Sequence, residues 1–223
     1  MTIQKNRDAV FAAVELATKQ ANRPQNSVRV IAVTKYVDSS LAKELVNTGI
    51  QHIGENRVDK FLDKYHALSS ENLTWHLIGS LQRRKVKAVI NYVDYFHALD
   101  SVKLAEEINK RATKPVKCFL QVNISGEESK HGFSIEEIDQ AVDVMKDFEQ
   151  VELVGLMTMA PFEASHEELN AIFSKAESLR KELAEKHLPH MPFTELSMGM
   201  SGDFTEAIDN GSTFVRIGTA FFK

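Results

Sequence analysis

Apolar residues recur along the chain at two alternating spacings, which predict alternating helices and strands. Residues 3–22 place Val10, Val14 and Ala17 on one face of a helix. Residues 28–34 are short and almost continuously apolar, which is typical of a strand buried on both faces of a parallel sheet. The same two patterns then alternate to the end of the chain.

Further strands are predicted after the first, each separated from the previous one by one helical segment. They are QHIGEN, TWHLIG, DYFHALD, VKCFLQVN, VELVGLMTM, TELSMG and TFVRIG. The intervening helices are expected near residues 40–48, 56–68, 82–91, 101–112, 135–147, 166–187 and 203–210. Two of them begin with the spacing of a capping box, at Ser134 with Glu137 and at Ser165 with Glu168.

Strict alternation of short strands and helices indicates a parallel α/β fold. Eight such units within 223 residues favour a closed (β/α)₈ barrel of the TIM type over an open doubly wound sheet. We expect one domain, residues 1–223, with an extra amino-terminal helix in residues 1–24 and the barrel in residues 28–223. No low-complexity tract indicates a linker.

Composition and charge narrow the class of protein. The 27 Lys and Arg residues against 31 Asp and Glu residues give a net charge of −4, which draws the chain neither to nucleic acid nor to a membrane surface. No signal-peptide layout or membrane-spanning stretch is evident. The single cysteine, Cys118, lies in an apolar strand and is expected to be buried and inert. We therefore expect a cytoplasmic protein, and a monomer is favoured because no repeat of exposed apolar residues requires a dimer.

Active sites of such barrels lie at the carboxyl ends of the strands, where Lys35 ends the run VIAVTK. A lysine amine becomes a nucleophile toward carbonyl compounds when burial or a cationic neighbour disfavours its ammonium form. The end of the first strand could supply both conditions. A solvated surface lysine is the alternative, and position alone favours that alternative.

Two glycine-containing loops follow the seventh and eighth strands, where barrels often bind phosphate. Gly199 and Gly202 would let backbone amides approach an anion closely. Ser201 offers a hydroxyl and a cap for the helix that follows, whose amino terminus favours anions. Gly218 and Thr219 would close the other side. An ordinary tight turn and helix cap explain the same residues equally well.

An amine together with a phosphate site indicates a phosphorylated carbonyl compound held as a Schiff base. Either a sugar phosphate of a barrel aldolase or pyridoxal 5′-phosphate (PLP) has this chemistry. Arg216 favours PLP, because PLP proteins place Asp or Arg beside the pyridine nitrogen and Arg216 shares a strand face with Gly218.

Several segments, in order over nearly the whole chain, resemble the pyridoxal phosphate homeostasis proteins, the YggS/PROSC-like family. They are VIAVTKYV, HIGENR, WHLIGSLQRRK, LQVNISGEESKHGF, GLMTMAP, ELSMGMSGDFTEAI and VRIGTAFF. The resemblance implies the PLP-binding barrel that is also one domain of bacterial alanine racemases. The sequence departs from the family at Arg84, where asparagine is common, so no role is carried over to Arg84.

The resemblance also implies the cofactor, PLP, and the residues that bind it. Lys35 would form the Schiff base, the loops after the last two strands would hold the phosphate, and Arg216 would lie near the pyridine nitrogen. The implied binding residues are Lys35, Asn56, Met198, Ser201, Gly202, Arg216, Gly218 and Thr219. The implied role is intracellular PLP (vitamin B6) and amino-acid homeostasis without established enzymatic activity, with apo PLP-dependent enzymes as recipients of PLP.

A small PLP-dependent enzyme, such as an amino-acid racemase, is the alternative function. An arginine partner would leave the pyridine nitrogen largely unprotonated, which makes the ring a poorer electron sink for carbanions. Racemases with this barrel still work because a second base comes from another domain and subunit. No second base is evident in this sequence, so no catalytic residue is predicted.

The remaining candidates favour simpler roles. The basic cluster Arg83–Lys87 is expected to be a solvated helix face, not a binding patch. His52, His76 and His97 lie within predicted strands and are expected to be hydrogen-bonded core or lumen residues. The histidines form no pattern of metal ligands, so no metal is predicted. Lys130, in the polar loop after the fifth strand, is a hypothetical transient acceptor of PLP.

Overall fold

Eight parallel strands pair in chain order and close into a barrel, because the last strand pairs with the first. The computed structural model describes residues 2–127 and 131–223. The strands are β1 (Arg29–Val33), β2 (His52–Glu55), β3 (Thr74–Leu77), β4 (Tyr95–Leu99), β5 (Val116–Gln121), β6 (Val151–Met157), β7 (Glu195–Ser197) and β8 (Phe214–Ile217). The architecture confirms the predicted (β/α)₈ barrel.

One helix precedes the barrel and one helix separates each pair of consecutive strands. The helices are α1 (Ile3–Gln20), α2 (Ser39–Val46), α3 (Val58–Ala67), α4 (Arg83–Val89), α5 (Val102–Arg111), α6 (Ile138–Met145), α7 (His166–Ala184) and α8 (Phe204–Asp209). The capping boxes at Ser134 and Ser165 are both formed. The first opens a short 3₁₀ turn, Ile135–Glu137, that leads into α6.

The extra amino-terminal helix, α1, packs against the outside of the barrel next to β1 and β8. Its predicted apolar face is buried, and Val10 and Val14 share an apolar cluster with Val30 and Val215. The buried Asn6 side chain donates to the carbonyl of Phe221 at 3.0 Å. This helix therefore holds in place the segment that follows β8.

Side chains along each strand alternate between the barrel lumen and the surrounding helices. Val30 of β1 packs toward α1, whereas Arg29 pairs in register with Phe214, whose ring contacts several rings inside the lumen. Ile31 pairs with Arg216 one lumen layer higher. Lys35 lies in the turn that follows the end of β1, at the carboxyl-end mouth of the barrel.

Two expectations about residue environment are settled by burial. Cys118 is fully buried, and burial raises the pKa of its thiol, which keeps the thiol protonated and inert. The basic cluster from Arg83 to Lys87 lies on the exposed face of α4.

Within residues 2–127 and 131–223, no helix has both the length and the apolar character needed to cross a membrane.

Candidate functional site

The candidate residues gather at one end of the barrel, around four strands that are neighbours in the closed sheet. Lys35 follows β1 and Asn56 follows β2. Met198, Ser201 and Gly202 follow β7, while Gly218 and Thr219 follow β8 and Arg216 lies within it. The order β7-β8-β1-β2 is continuous because the barrel is closed. The fold thus brings both ends of the sequence to one mouth.

Lys35 lies in the turn after β1, and its side chain is exposed. Its ammonium lies 4.9 Å from the centre of the Tyr36 ring, a cation–π contact. The expectation that Lys35 is buried is wrong, because β1 ends at Val33 and the side chain lies exposed in the turn that follows. The amine is accessible to a carbonyl compound from solvent.

The end of β1 is anchored by a buried ion pair on the helix side of the barrel wall. Lys64 of α3 donates to a carboxylate oxygen of Glu55 at 2.5 Å and to the carbonyl of Thr34 at 3.1 Å. The hydroxyl of Thr34 donates to the same Glu55 oxygen at 2.6 Å. The Lys64 and Glu55 side chains are 2% and 0% exposed. This cluster fixes the peptide that joins Thr34 to Lys35.

The Glu55–Lys64 pair was not predicted from the sequence, although one signal for it existed. Lys64 interrupts the apolar face of α3 between Phe61 and Leu68, both fully buried. A charged residue on such a face needs a buried partner, because an unpaired buried charge is costly. The other Glu55 oxygen, Oε2, is buried and has no hydrogen-bond partner among the residues that the structure describes.

Arg216 is a buried cation whose guanidinium is oriented by three hydrogen bonds. Nη1 donates to the carbonyl and the hydroxyl of Ser197 at 2.8 and 2.7 Å, and Nη2 donates to the carbonyl of Thr158 at 3.2 Å. Burial lowers the pKa of Arg216 to about 10, partly offset by the negative charge of Asp203. Arg216 therefore stays charged near neutral pH, in a fixed orientation below the mouth.

The loops after β7 and β8 present free backbone amides. Among the described residues, the amides of Ser201, Gly202, Gly218 and Thr219 donate to no acceptor in the protein. Gly202 faces open space, since an added Cβ there would meet no atom within 4 Å. Gly199 has φ of +93°, and a Cβ there would lie 2.6 Å from the Cβ of Ala207, so glycine permits the tight turn.

The expectation that Ser201 caps the next helix is wrong. Helix α8 begins at Phe204, after Asp203. Neither the Ser201 side chain nor the Asp203 side chain makes a capping hydrogen bond to this helix. The carboxylate of Asp203 instead accepts from the amide of Met200 at 2.5 Å and so shapes the loop. Burial raises the pKa of Asp203, while the Met200 hydrogen bond and the charge of Arg216 lower it. Sequence analysis did not identify this carboxylate.

Asn56 and Met198 occupy different environments. Asn56 is half-buried, and its backbone lies so close to Gly79 that a Cβ at Gly79 would be 2.1 Å from the Asn56 carbonyl oxygen. Met198 is fully buried in the main apolar cluster, and its carbonyl accepts from the hydroxyl of Ser212 at 2.7 Å. Asn56 therefore lies beside the mouth, and Met198 lies below it.

The three strand histidines form a continuous hydrogen-bonded series in the lumen, which confirms that they are satisfied internal residues. Nδ1 of His52 lies 2.9 Å from Nε2 of His76, and Nδ1 of His76 lies 2.9 Å from Nε2 of His97. Nδ1 of His97 lies 2.8 Å from the hydroxyl oxygen of Ser197. Burial holds the pKa of His76 and His97 well below the ordinary value of 6.5. Nearby positive charge, from Arg216 at His97, adds to this effect. Both rings are therefore neutral near pH 7.

Lys130, the hypothetical transient acceptor, lies outside the described residues. In the described part of the chain, no group of three or more His, Cys, Asp or Glu side chains is arranged to hold a metal ion.

Comparison with known proteins identifies relatives over nearly the full length. The family model described as the alanine racemase N-terminal domain matches residues 6–223. The chain is 39% identical to the pyridoxal phosphate homeostasis protein of Aquifex aeolicus (strain VF5), over 96% of this chain and 94% of that protein. It is 38% identical to the protein of the same name from Mus musculus, over 93% of this chain and 80% of that protein.

Solved structures agree with these matches. PipY of Synechococcus elongatus PCC7942, with PLP bound, has a TM-score of 0.88 and 30% identity, with full coverage of both chains. Alanine racemase from Corynebacterium glutamicum has a TM-score of 0.71 at 15% identity and covers 96% of this chain and 60% of its own. The racemase likeness extends to the fold alone.

Replacing Lys64 by Met is expected to destabilise the protein by about 3–5 kcal/mol, because it leaves the buried Glu55 carboxylate unpaired. The free energy of unfolding in urea measures this. Lys43→Met is the matched control, since Lys43 forms a partly exposed pair with Glu71 whose loss should cost far less than the loss of the buried pair. The double variant Lys64→Met, Glu55→Met should recover much of the loss. Equal losses in the Lys64 and Lys43 variants would contradict the assigned role.

Acidification below pH 6.5 is expected to destabilise the protein. His76 and His97 have folded pKa values below the unfolded value, so the unfolded state binds protons first as the pH falls. Their combined contribution is about 2–3 kcal/mol lost between pH 7 and pH 5.5. Urea unfolding across this range measures it.

The His97→Asn variant should lose about half of this pH dependence, because one of the two titrating rings is gone. His66→Gln, which changes an exposed histidine on α3, should keep all of it. An unchanged pH dependence in His97→Asn would show that His97 is not responsible.

Proposed function

Because this chain belongs to the family of pyridoxal phosphate homeostasis proteins, we propose that it binds PLP at the carboxyl end of its barrel. PLP carries an aldehyde, a phosphate and a pyridine ring, and the mouth offers a complementary group for each. The observation that carries the proposal is the placement of an accessible amine, a buried arginine and free loop amides around adjoining strands.

Lys35 is the proposed point of covalent attachment. Its Nζ would condense with the aldehyde carbon of PLP to form a Schiff base, with loss of one water molecule. The cation–π contact with Tyr36 and the anchored Thr34 peptide support the position of Lys35. When bound, PLP supplies a conjugated imine that can act as an electron sink.

The loops after β7 and β8 are the proposed phosphate site. Ser201, Gly202, Gly218 and Thr219 would offer their unpaired amides, and the two hydroxyls could donate as well. The open space at Gly202 leaves room for the anion. Asp203 places an unfavourable negative charge beside this loop, and its carboxylate accepts a hydrogen bond from the Met200 amide.

Arg216 is the proposed partner of the pyridine nitrogen. As a permanent donor without a lone pair, it would leave that nitrogen unprotonated and weaken the ring as an electron sink. We infer a homeostasis role without turnover, which the names of the curated relatives support. We further propose that the protein acts in the cytoplasm as a monomer, in PLP and amino-acid homeostasis, and that apo PLP-dependent enzymes receive its PLP.

An amino-acid racemase is the second candidate, and Tyr36 is the observation that favours it. Its ring lies beside the Lys35 ammonium, and its side chain is 79% exposed at the same mouth. A phenol beside the proposed attachment point could serve as the second acid or base. Sequence analysis did not identify this residue.

Borohydride reduction of the PLP-loaded protein is expected to trap PLP on Lys35, found by mass mapping of the digested peptides. Lys35→Ala should lose both the visible absorption band and the adduct, because the proposed point of attachment is gone. Lys85→Ala, which changes an exposed lysine on α4, is the matched control and should retain both. An adduct of equal yield on another lysine in the Lys35→Ala variant would overturn the assignment.

The two functions are separated by proton exchange at the α-carbon of L-alanine in deuterated water, followed by NMR. A carrier should exchange the proton no faster than the same concentration of free PLP, because it lacks a positioned second base. Exchange at enzymatic rates that Tyr36→Phe abolishes would instead establish the racemase.

A further inference from the structure

A line of hydrogen bonds crosses the barrel from its amino-terminal opening to the buried arginine. It begins at the half-buried His52, near the start of β2, and passes through His76 and His97. It continues to Ser197 and ends at Arg216, whose Nη1 lies 2.7 Å from the Ser197 hydroxyl. The proposed PLP site uses Arg216, which Ser197 orients, so the three histidines have no assigned role.

Aromatic neighbours hold the inner rings of this line in place. His76 lies nearly parallel to Tyr95, with ring centres 4.9 Å apart and planes 9° apart. His97 stacks on Phe119 at 4.4 Å, and both histidines meet the ring of Phe214 edge-on. Because the rings are packed on their faces, rotation that would exchange their nitrogens is hindered. The nitrogen that each ring presents to its neighbour is therefore fixed.

The arginine decides which way the hydrogen bonds run. Arg216 can only donate, so the Ser197 hydroxyl oxygen accepts from it. The Ser197 proton is then free to go to Nδ1 of His97. In the opposite polarity Ser197 would accept from both neighbours, and its own proton would find no acceptor among the residues that the structure describes.

The same direction then follows along the whole line. With Nδ1 accepting, neutral His97 carries its proton on Nε2 and donates it to Nδ1 of His76. His76 likewise donates from Nε2 to Nδ1 of His52. His76, His97 and Ser197 each have one donor and one acceptor in use along this line, which leaves neither nitrogen of the two inner rings unpaired.

We propose that Ser197, His97, His76 and His52 form a neutral relay of fixed polarity, with every ring protonated on Nε2, that positions Arg216 for the pyridine nitrogen. The acceptor offered by His97 holds the Ser197 hydroxyl with its lone pairs toward Arg216. Because the rings are neutral, the relay adds no positive charge next to Arg216. The link to PLP rests on the proposed function, whereas the polarity of the relay does not.

Two substitutions of His97 separate positioning from the filling of space. Asn places its amide oxygen near the former Nδ1 and keeps an acceptor for Ser197, whereas Gln reaches toward the former Nε2 and does not. The expected affinity for PLP is within about twofold of wild type for His97→Asn and about tenfold weaker for His97→Gln, the effect of one lost hydrogen bond. The visible band should move only in His97→Gln. A role in packing alone predicts that the larger Gln does at least as well.

The second measurement reads the tautomers directly, by ¹⁵N–¹H correlation NMR of histidine-labelled wild-type protein without PLP. We expect His52, His76 and His97 to be neutral with the proton on Nε2 at pH 7. A proton on Nδ1 of His97, or equal PLP affinity of the two variants, would overturn the proposal. If wild-type protein binds no PLP, the proposed function fails, and the NMR result still decides the polarity of the relay.

Discussion

The parallel pairing of β1 with β8 is the constraint on which the proposed site depends. Four register pairs, from Arg29 with Phe214 to Ala32 with Ile217, close the barrel. They set Lys35, just beyond one strand, beside Gly218 and Thr219, just beyond the other. Helix α1 covers this seam from outside and holds the segment after β8 through Asn6. The proposed amine and phosphate sites therefore become neighbours only because the barrel closes, and neither segment alone would form the site.

The lumen below this mouth combines apolar packing with a continuous series of hydrogen bonds. Aromatic rings fill it, yet the histidine series passes between them to Ser197 and Arg216 without an unpaired inner nitrogen. Burial favours uncharged rings, and the arginine reinforces that preference at His97. A single buried cation remains tolerable because its hydrogen bonds are made by Ser197 and Thr158. Electrostatics and packing therefore support the same arrangement.

The barrel itself could be predicted because short apolar strands and capped helices alternate regularly, as at Ser165 with Glu168. The candidate site residues could be located because strand ends mark the barrel mouth. The surroundings of these residues could not be predicted, because they depend on where a strand or helix ends to within one or two residues. The end of β1 at Val33 leaves Lys35 exposed, and the start of α8 at Phe204 deprives Ser201 of a capping role. The histidine series depends on the stagger between strands, which no single segment encodes.

The exposure of Lys35 has a kinetic consequence for the proposed storage and transfer of PLP. Water reaches an exposed attachment point without any prior opening of the chain. The lifetime of the bound state would then be governed by the chemistry of imine hydrolysis and by competing amines in solution, not by the movement of a lid. Under the proposed function, the protein would act as a buffer that exchanges PLP with its surroundings, and the residence time of PLP would depend on the medium as much as on the fold.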